Sequence, residues 1–277
     1  MRARVFEAGL WVAATSVVAF LLLPVVAIFA RVPLSDLVSQ LSSEVVRDAL
    51  RVTVKTNVVA LAFVLVLGTP TAYLIATRSF RGRSLVLTLI ELPLVLPPAV
   101  AGIGLLAAFG RLGLLGGTLD FFGLRVGLGT QAAVVLAVMF VAGPFYVRPA
   151  IAAFEAVDPT LLGAARTLGA GPGRTFFRVA LPLAAGGLGA GAALAFARGL
   201  GEFGATIMFA GSLQGVTQTL SLAIYQEFDL DFDSALAISA LLVLVSGILL
   251  LSVKLILGWR STYTSLIPFA RSPSTSS

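Results

Sequence analysis

The stretch VGLGTQAAVVLAVMFVAGPFYV, residues 126–147, contains no charged residue and consists mainly of valine, alanine, glycine and phenylalanine. The hydrocarbon core of a membrane is about 30 Å thick, and an apolar helix crosses it in roughly 20 residues. Residues 126–147 are long enough for one such crossing. The stretch therefore predicts a transmembrane helix.

Five further charge-free stretches lie elsewhere in the chain, at 8–30, 56–77, 92–110, 179–197 and 234–253. Charged residues make up only 12% of the sequence, about half the share usual in soluble domains. We therefore predict an all-α polytopic membrane protein with about six transmembrane helices in a single domain over residues 1–277. The predicted spans are approximately 9–30, 56–77, 86–109, 130–152, 183–209 and 234–257.

The composition excludes several classes of chemistry. The chain has no cysteine and no histidine, which removes thiolate and imidazole metal sites and histidine acid–base catalysis. Neither lysine, Lys55 or Lys254, stands in the glycine frame of a phosphate-binding loop. We predict no catalytic residue, no metal site and no enzyme activity, and the net charge of +6 gives no reason to expect a nucleic-acid partner.

The distribution of cationic residues predicts the orientation. With the amino end inside, most of the 19 Lys and Arg residues, Arg271 included, fall in inner segments, while Arg198 falls within a span. The outer loops would hold Arg31, Arg47, Arg51, Lys55, Arg111 and Arg125. Inner loops carry the excess of positive charge, so both termini are predicted to be cytoplasmic, in the inner membrane. The apolar run 10–30 is too long for a signal-peptide core and is predicted to be an uncleaved first helix.

The longest inner connection joins spans four and five and reads FEAVDPTLLGAARTLGAGPGRTFFRVALP, residues 154–182. Asp158 followed by Pro159 is a typical helix start, and Gly169 with the glycines beyond it predicts a sharp turn. We predict two short helices, 159–168 and 174–180, standing out from the membrane. Arg174 and Arg178 would form a basic stripe.

The spacing within this loop resembles the EAA loop of ABC importer permeases. The matching residues are Ala164, Ala165, Gly169, Val179, Leu181 and Pro182. The resemblance implies that the loop couples the chain to a separate ATPase subunit, which would bind ATP and Mg. The leading glutamate of the family pattern is Gly163 here, so any role of that carboxylate is absent or supplied elsewhere. A purely structural helical hairpin is the alternative.

The second informative stretch is ARGLGEFGATIMFAG, residues 197–211. Sixteen steps of helix from Pro182 cover about 24 Å, which places Arg198 and Glu202 toward the outer face. The stretch is either an outer gate of a translocation path or an interfacial salt bridge between helices. The candidate gate residues are Arg198, Gly201, Glu202, Phe203, Gly204 and Thr206. Pro93, Pro97 and Pro98 are predicted to break the third span, and Gly187 with Gly191 predicts a close helix-packing face on which two copies could meet.

Three segments resemble molybdate- and sulfate-type permeases: GEFGAT at 201–206, ELPLVLPPAVAGIGLL at 91–106 and QTLSLAIYQEF at 218–228. The resemblance implies import of molybdate or tungstate by alternating access. The implied partners are a second permease copy forming a homodimer, two ABC ATPase subunits, an extracytoplasmic oxyanion-binding protein and membrane lipid. Sulfate or thiosulfate remains an alternative substrate, and an ion-coupled secondary transporter an alternative mechanism.

Overall fold

The computed structural model describes residues 2–264, so residues 265–277 of the predicted domain, Arg271 among them, lie outside the described residues. The described part is built of helices joined by short turns and contains no strand. In chain order the helices are α1 (Arg2–Arg31), α2 (Leu34–Leu41), α3 (Glu44–Thr77), α4 (Arg83–Val95), α5 (Pro98–Phe109), α6 (Gly116–Phe121), α7 (Gln131–Glu155), α8 (Pro159–Thr167), α9 (Pro172–Thr175), α10 (Leu181–Leu200), α11 (Gly204–Ala210), α12 (Leu220–Phe228) and α13 (Phe232–Thr264).

Helices lie at all six predicted span positions. Within residues 2–264, four are long and apolar enough to cross a membrane, and a bent pair gives a fifth. The four are Phe6–Arg31, Glu44–Thr77, Gln131–Glu155 and Pro172–Leu200. The sixth predicted span falls on α13, whose described apolar stretch, Phe232–Ile248, is shorter. The all-α polytopic membrane class is confirmed.

The third predicted span is two helices, α4 and α5, bent by 115°. The bend lies at Leu96 and Pro97, both extended, and Pro98 is the first residue of α5. The prediction that Pro93 also breaks the span is wrong, because α4 continues through it to Val95. Pro97 and Pro98 together explain the bend: proline disfavours helical geometry in the residue before it but is well tolerated in the first turn of a new helix.

The fifth predicted span, 183–209, is also not one helix. α10 ends at Leu200, and α11 begins at Gly204. Gly201 and the non-helical Phe203 separate them, so the glycines of this segment end the helix rather than merely weaken it. α11 then continues to Ala210, whose carbonyl accepts a hydrogen bond from the backbone N–H of Gly129 just before α7.

The core lies where α3, α7 and α10 pack together. Small residues permit this close approach: a methyl group on Gly187 would stand 2.5 Å from Cβ of Ala153, and one on Gly191 would stand 3.2 Å from the carbonyl oxygen of Tyr146. The close-packing face predicted for Gly187 and Gly191 is thus confirmed, but it contacts α7 of the same chain and is not left for a second copy. By contrast, none of the most apolar window of α1 is buried.

The loop between α7 and α10 differs from its prediction in one respect. α8 stands as a separate short helix, as predicted. The second short helix does not, since α9, a π-helical turn at Phe176–Ala180 and α10 follow one another without a break. Pro182 does not interrupt this run, because the π-helical turn just before it adjusts the hydrogen bonding of the backbone around the proline. The loop is therefore connected to the membrane by one helix, Pro172–Leu200.

Candidate transport site

Three local features fix the conformation of the loop. The Asp158 side chain caps α8 by accepting a hydrogen bond from the backbone N–H of Thr160 at 2.8 Å, and this bond holds the pKa of the Asp158 carboxyl below its usual value. Leu162 is buried in the core cluster and anchors the helix. Gly169 has a φ of +81°, a conformation that a side chain would strain. The predicted helix start and glycine turn are confirmed in geometry.

Most of the predicted coupling residues lie on the outside of this loop. Ala164, Gly169, Arg174, Arg178 and Pro182 are exposed, and Ala165 and Leu181 are partly buried. Leu161, Leu168 and Phe177 are also exposed, and Leu168 retains 88% of its surface. These three apolar side chains were not singled out from the sequence. They give the loop an apolar surface beside its arginines, which is suited to a protein partner.

The second candidate site centres on Glu202, which is almost fully buried. One of its carboxylate oxygens lies 3.0 Å from a guanidinium nitrogen of Arg198. The other accepts a hydrogen bond from the backbone N–H of Ala205 at 2.8 Å and so caps the start of α11. The side chain of Arg198 is 29% exposed. Both oxygens of the buried carboxylate are therefore compensated, as a buried charge requires.

The pair lies beside the bend in the third predicted span. α11 packs beside α5 in the same direction: a methyl group on Gly204 would stand 2.5 Å from Cβ of Pro98, and one on Gly102 would stand 2.6 Å from the carbonyl oxygen of Ala205. Glu202 therefore lies level with the bend between α4 and α5. The sequence placed the pair toward the outer face from the length of helix between Pro182 and Arg198, and this placement stays a prediction; the structure adds that α11 continues beyond the pair.

The other predicted gate residues surround Glu202. Gly201 is exposed, and Gly204 and Phe203 are partly buried. The ring of Phe203 lies 4.9 Å from the ring of Tyr225 on α12, so it contacts an aromatic neighbour and not only glycines. Thr206 is completely buried, and its hydroxyl has no hydrogen-bond partner.

A set of buried polar side chains on α3 was missed by the sequence reasoning. The hydroxyl of Thr53 accepts a hydrogen bond from the backbone N–H of Leu220 at 2.8 Å. One turn along α3, the amide oxygen of Asn57 has no hydrogen-bond partner and lies so close to Gly199 that a methyl group there would overlap it. The signal was present, because Asn57 is an amide inside a charge-free span.

Several other buried oxygens in this region lack partners. Besides Asn57 and Thr206, they belong to Ser212 and Gln218. A buried polar atom without a hydrogen-bond partner is costly. Asn57 and Thr206, which lie in helices, therefore mark a place where polar groups serve something other than packing, whereas Ser212 and Gln218 lie in the loop between α11 and α12. Among residues 2–264 no three acidic side chains gather as a metal site would require; the absence of a metal cofactor stays a prediction.

The chain is similar to several characterised membrane proteins. Residues 66–259 match the family of binding-protein-dependent transport system inner membrane components. The chain is 44% identical over 236 residues to the molybdenum transport system permease protein ModB of Mycobacterium tuberculosis, covering 85% of this chain and 89% of that protein. It is 43% identical over 179 residues to ModB of Escherichia coli K12, covering 64% and 78%.

Solved structures agree in fold. A bacterial ABC transporter involved in the import of the acidic polysaccharide alginate superposes with a TM-score of 0.71 at 18% sequence identity, covering 92% of this chain and 96% of that chain. The MetNI methionine ABC transporter in an inward-facing conformation gives 0.59 at 20% identity, covering 77% and 94%. At these identities the likeness shows the fold alone.

Proposed function

Because this chain belongs to the family of binding-protein-dependent transport system inner membrane components, we propose that it is the permease of an ATP-driven importer of molybdate. The observation that supports molybdate as the substrate is the 44% identity to a molybdenum transport permease over 85% of the chain. The chain is a transport subunit and not an enzyme. Tungstate, which has the same charge and tetrahedral shape, is included in the proposal.

The loop 154–182 is proposed as the coupling loop that seats on the ATPase. Its exposed leucines and Phe177 supply apolar contact area, and Arg174 and Arg178 supply positive charge toward an acidic edge. The continuous helix Pro172–Leu200 leads from this surface to Arg198. A displacement of the loop would therefore act directly on the Arg198–Glu202 pair, without an intervening flexible joint.

The break between α10 and α11 is proposed as the gate of the translocation path. Glu202 links the two helices, because it pairs with Arg198 on one and caps the other. The partly exposed guanidinium of Arg198 would attract an oxyanion toward this break, while the buried carboxylate prevents it from holding the anion too tightly. Gly201, Phe203, Gly204 and Thr206 would line the same opening.

The working complex is proposed to contain two copies of this chain, two ATPase subunits and an extracytoplasmic oxyanion-binding protein. ATP and Mg would bind only to the ATPase. The family is one of multi-pass inner-membrane proteins; both termini are proposed to face the cytoplasm, which puts the coupling loop on the ATPase side and the Gly129–Ala210 contact on the opposite side.

Uptake in cells lacking the gene tests the substrate. With the gene restored, we expect cellular molybdenum at trace molybdate to recover, and excess sulfate not to compete. An Arg174→Glu, Arg178→Glu variant, which reaches the membrane but reverses the loop charge, should fail to restore uptake. Recovery of sulfate uptake alone would contradict the molybdate assignment and favour the sulfate alternative.

A further inference from the structure

Two ion pairs join α4 to α7 at the coupling-loop end of the molecule. A guanidinium nitrogen of Arg83 lies 2.5 Å from a carboxylate oxygen of Glu155, and Nε of Arg148 lies 2.8 Å from a carboxylate oxygen of Glu91. On both helices the two charged residues stand about two turns apart. The pairs therefore match an antiparallel register and hold α4 against α7 at two levels.

Apart from the ion pairs, α4 contacts the core through the partly buried side chains of Val86, Leu87 and Ile90. None of its residues is buried, and an open groove of about 410 Å³ runs between it and α7. The groove is bordered by Leu87, Pro149, Ile151 and Ala152 together with Arg83, Arg148 and Glu155. On the other side of the bend, α5 is tightly packed, because Gly102 lies against α11. The half-span before the bend thus has no buried residue, and the two ion pairs are its charged links to α7.

One pair also sits at the start of the coupling loop. Glu155 is the last residue of α7 and stands shortly before Asp158, the cap of α8. Nε of its partner Arg83 donates to the backbone carbonyl of Ile75 in the last turn of α3, at 3.1 Å. A single guanidinium therefore connects the beginning of the coupling loop with α3 and α4.

We infer that Arg83–Glu155 and Glu91–Arg148 are positioning residues for transport, which make α4 follow the coupling-loop end of α7. When the ATPase moves the coupling loop, α4 moves with α7, and the change reaches the bend at Leu96 and Pro97 beside Glu202. This is a second mechanical route, parallel to the helix Pro172–Leu200. The inference rests on the proposed function, since it needs an ATPase to move the loop.

Charge reversal tests the pairs. In proteoliposomes that contain the whole complex, we measure molybdate transported per ATP hydrolysed. Arg83→Glu and Glu155→Arg should each lower this ratio about three- to fivefold, the range expected for half-exposed pairs, and the double reversal should restore it to within about twofold. Arg81→Glu makes the same charge change two residues away, at an exposed side chain, and should leave the ratio unchanged. Unaltered ratios in the single variants, or no recovery in the double variant, would overturn the inference.

A covalent cross-link between α4 and α7 distinguishes a positioning role in transport from a contribution to the stability of the fold alone. The natural chain has no cysteine, so Arg83→Cys, Glu155→Cys introduces the only thiols of this chain. The inference predicts weak coupling in the uncross-linked double variant and recovery when a short bifunctional thiol reagent joins the two residues. If cross-linking blocks ATP hydrolysis, the two helices must separate during the cycle and the inference is wrong. Absence of molybdate transport by the wild-type complex would instead refute the proposed substrate, while the effect of the tether on ATP hydrolysis would still decide the role of the pairs.

Discussion

At the scale of single residues, Glu202 is the position where structure and function are most closely linked. Its carboxylate is 1% exposed, pairs with Arg198 and caps α11. Removing one partner of such a pair leaves an uncompensated charge in a medium of low polarity, which costs on the order of 3 kcal/mol. Both readings of the pair, gate and helix link, predict this loss of stability, so stability alone does not distinguish them.

A double substitution distinguishes the two readings. Glu202→Gln alone retains an oxygen for the Ala205 N–H but leaves Arg198 unpaired, so we expect a lower melting temperature and lost transport. Arg198→Gln with Glu202→Gln removes both charges and should regain most of the melting temperature while transport stays at least tenfold reduced. Normal molybdate transport by this double variant would show that the pair only holds helices together.

Asp158 provides a test of the coupling loop at the same scale. Asp158→Ala removes the cap of α8 and should weaken assembly with the ATPase, whereas Asp158→Asn retains a capping oxygen and should assemble normally. Because the pKa of Asp158 is lowered from its ordinary value of 3.8, the extra stability of the charged cap is present above that value and is lost as pH falls through the lowered pKa. The amount of ATPase that co-purifies with each variant measures assembly. Equal yields from Asp158→Ala and Asp158→Asn would contradict the role of the cap.

At the scale of elements, two breaks determine the membrane-embedded site: the bend between α4 and α5, and the gap between α10 and α11. The two short helices α5 and α11 pack on each other through glycines. Gly102 and Gly104 are both in α5, yet a methyl group on Gly102 would stand 2.6 Å from the Ala205 carbonyl oxygen, whereas one on Gly104 would contact nothing within 4 Å. The site therefore depends on a close contact that only one face of α5 makes.

This contrast gives a matched pair of variants. Gly102→Ala should lower stability by about 1–3 kcal/mol, as overpacking does, and should reduce transport because α11 is displaced from Glu202. Gly104→Ala should be neutral or slightly stabilising, since alanine favours a helix by up to about 1 kcal/mol over glycine. Thermal unfolding of the two purified variants in one detergent measures the difference; the account would be contradicted by equal melting temperatures.

The sequence predicted the elements better than their interruptions. Charge-free stretches coincide with the four long apolar helices and the bent pair, and Asp158-Pro159 with Gly169 located α8, because these signals are local. The end of α10 at Leu200 was missed, since Gly201 and Gly204 are compatible with a weakened helix and only packing against Pro98 requires the break. Asn57 was recognisable as an amide inside a charge-free span, but its contact with Gly199, which is distant in sequence, was not.

At the scale of the whole molecule, the chain has one heavily packed group, α3, α7 and α10, and helices with little contact to it. α1 buries none of its most apolar window within the chain, so its sides are available to lipid or to a second copy. The coupling loop and the contact between Gly129 and Ala210 lie at opposite ends of the packed group. The molecule thus has two distinct ends for two partners.

The orientation of these ends can be measured with single introduced cysteines, since the natural chain has none. Thr167→Cys in the coupling loop should react with a membrane-impermeant thiol reagent only in inverted vesicles. Leu114→Cys, 90% exposed near the opposite end, should react only in intact spheroplasts. The reverse pattern would contradict the proposed cytoplasmic position of the loop and of both termini.

The central claim is ATP-driven import of molybdate, and transport in reconstituted proteoliposomes tests it most directly. Radiolabelled molybdate and binding protein are supplied on the binding-protein side and ATP on the ATPase side, with the complete complex in the membrane. The account predicts that molybdate accumulates against its gradient and that omitting ATP, the ATPase or the binding protein abolishes accumulation. Accumulation that persists without the ATPase but stops when ion gradients are collapsed would contradict the account and identify an ion-coupled transporter instead.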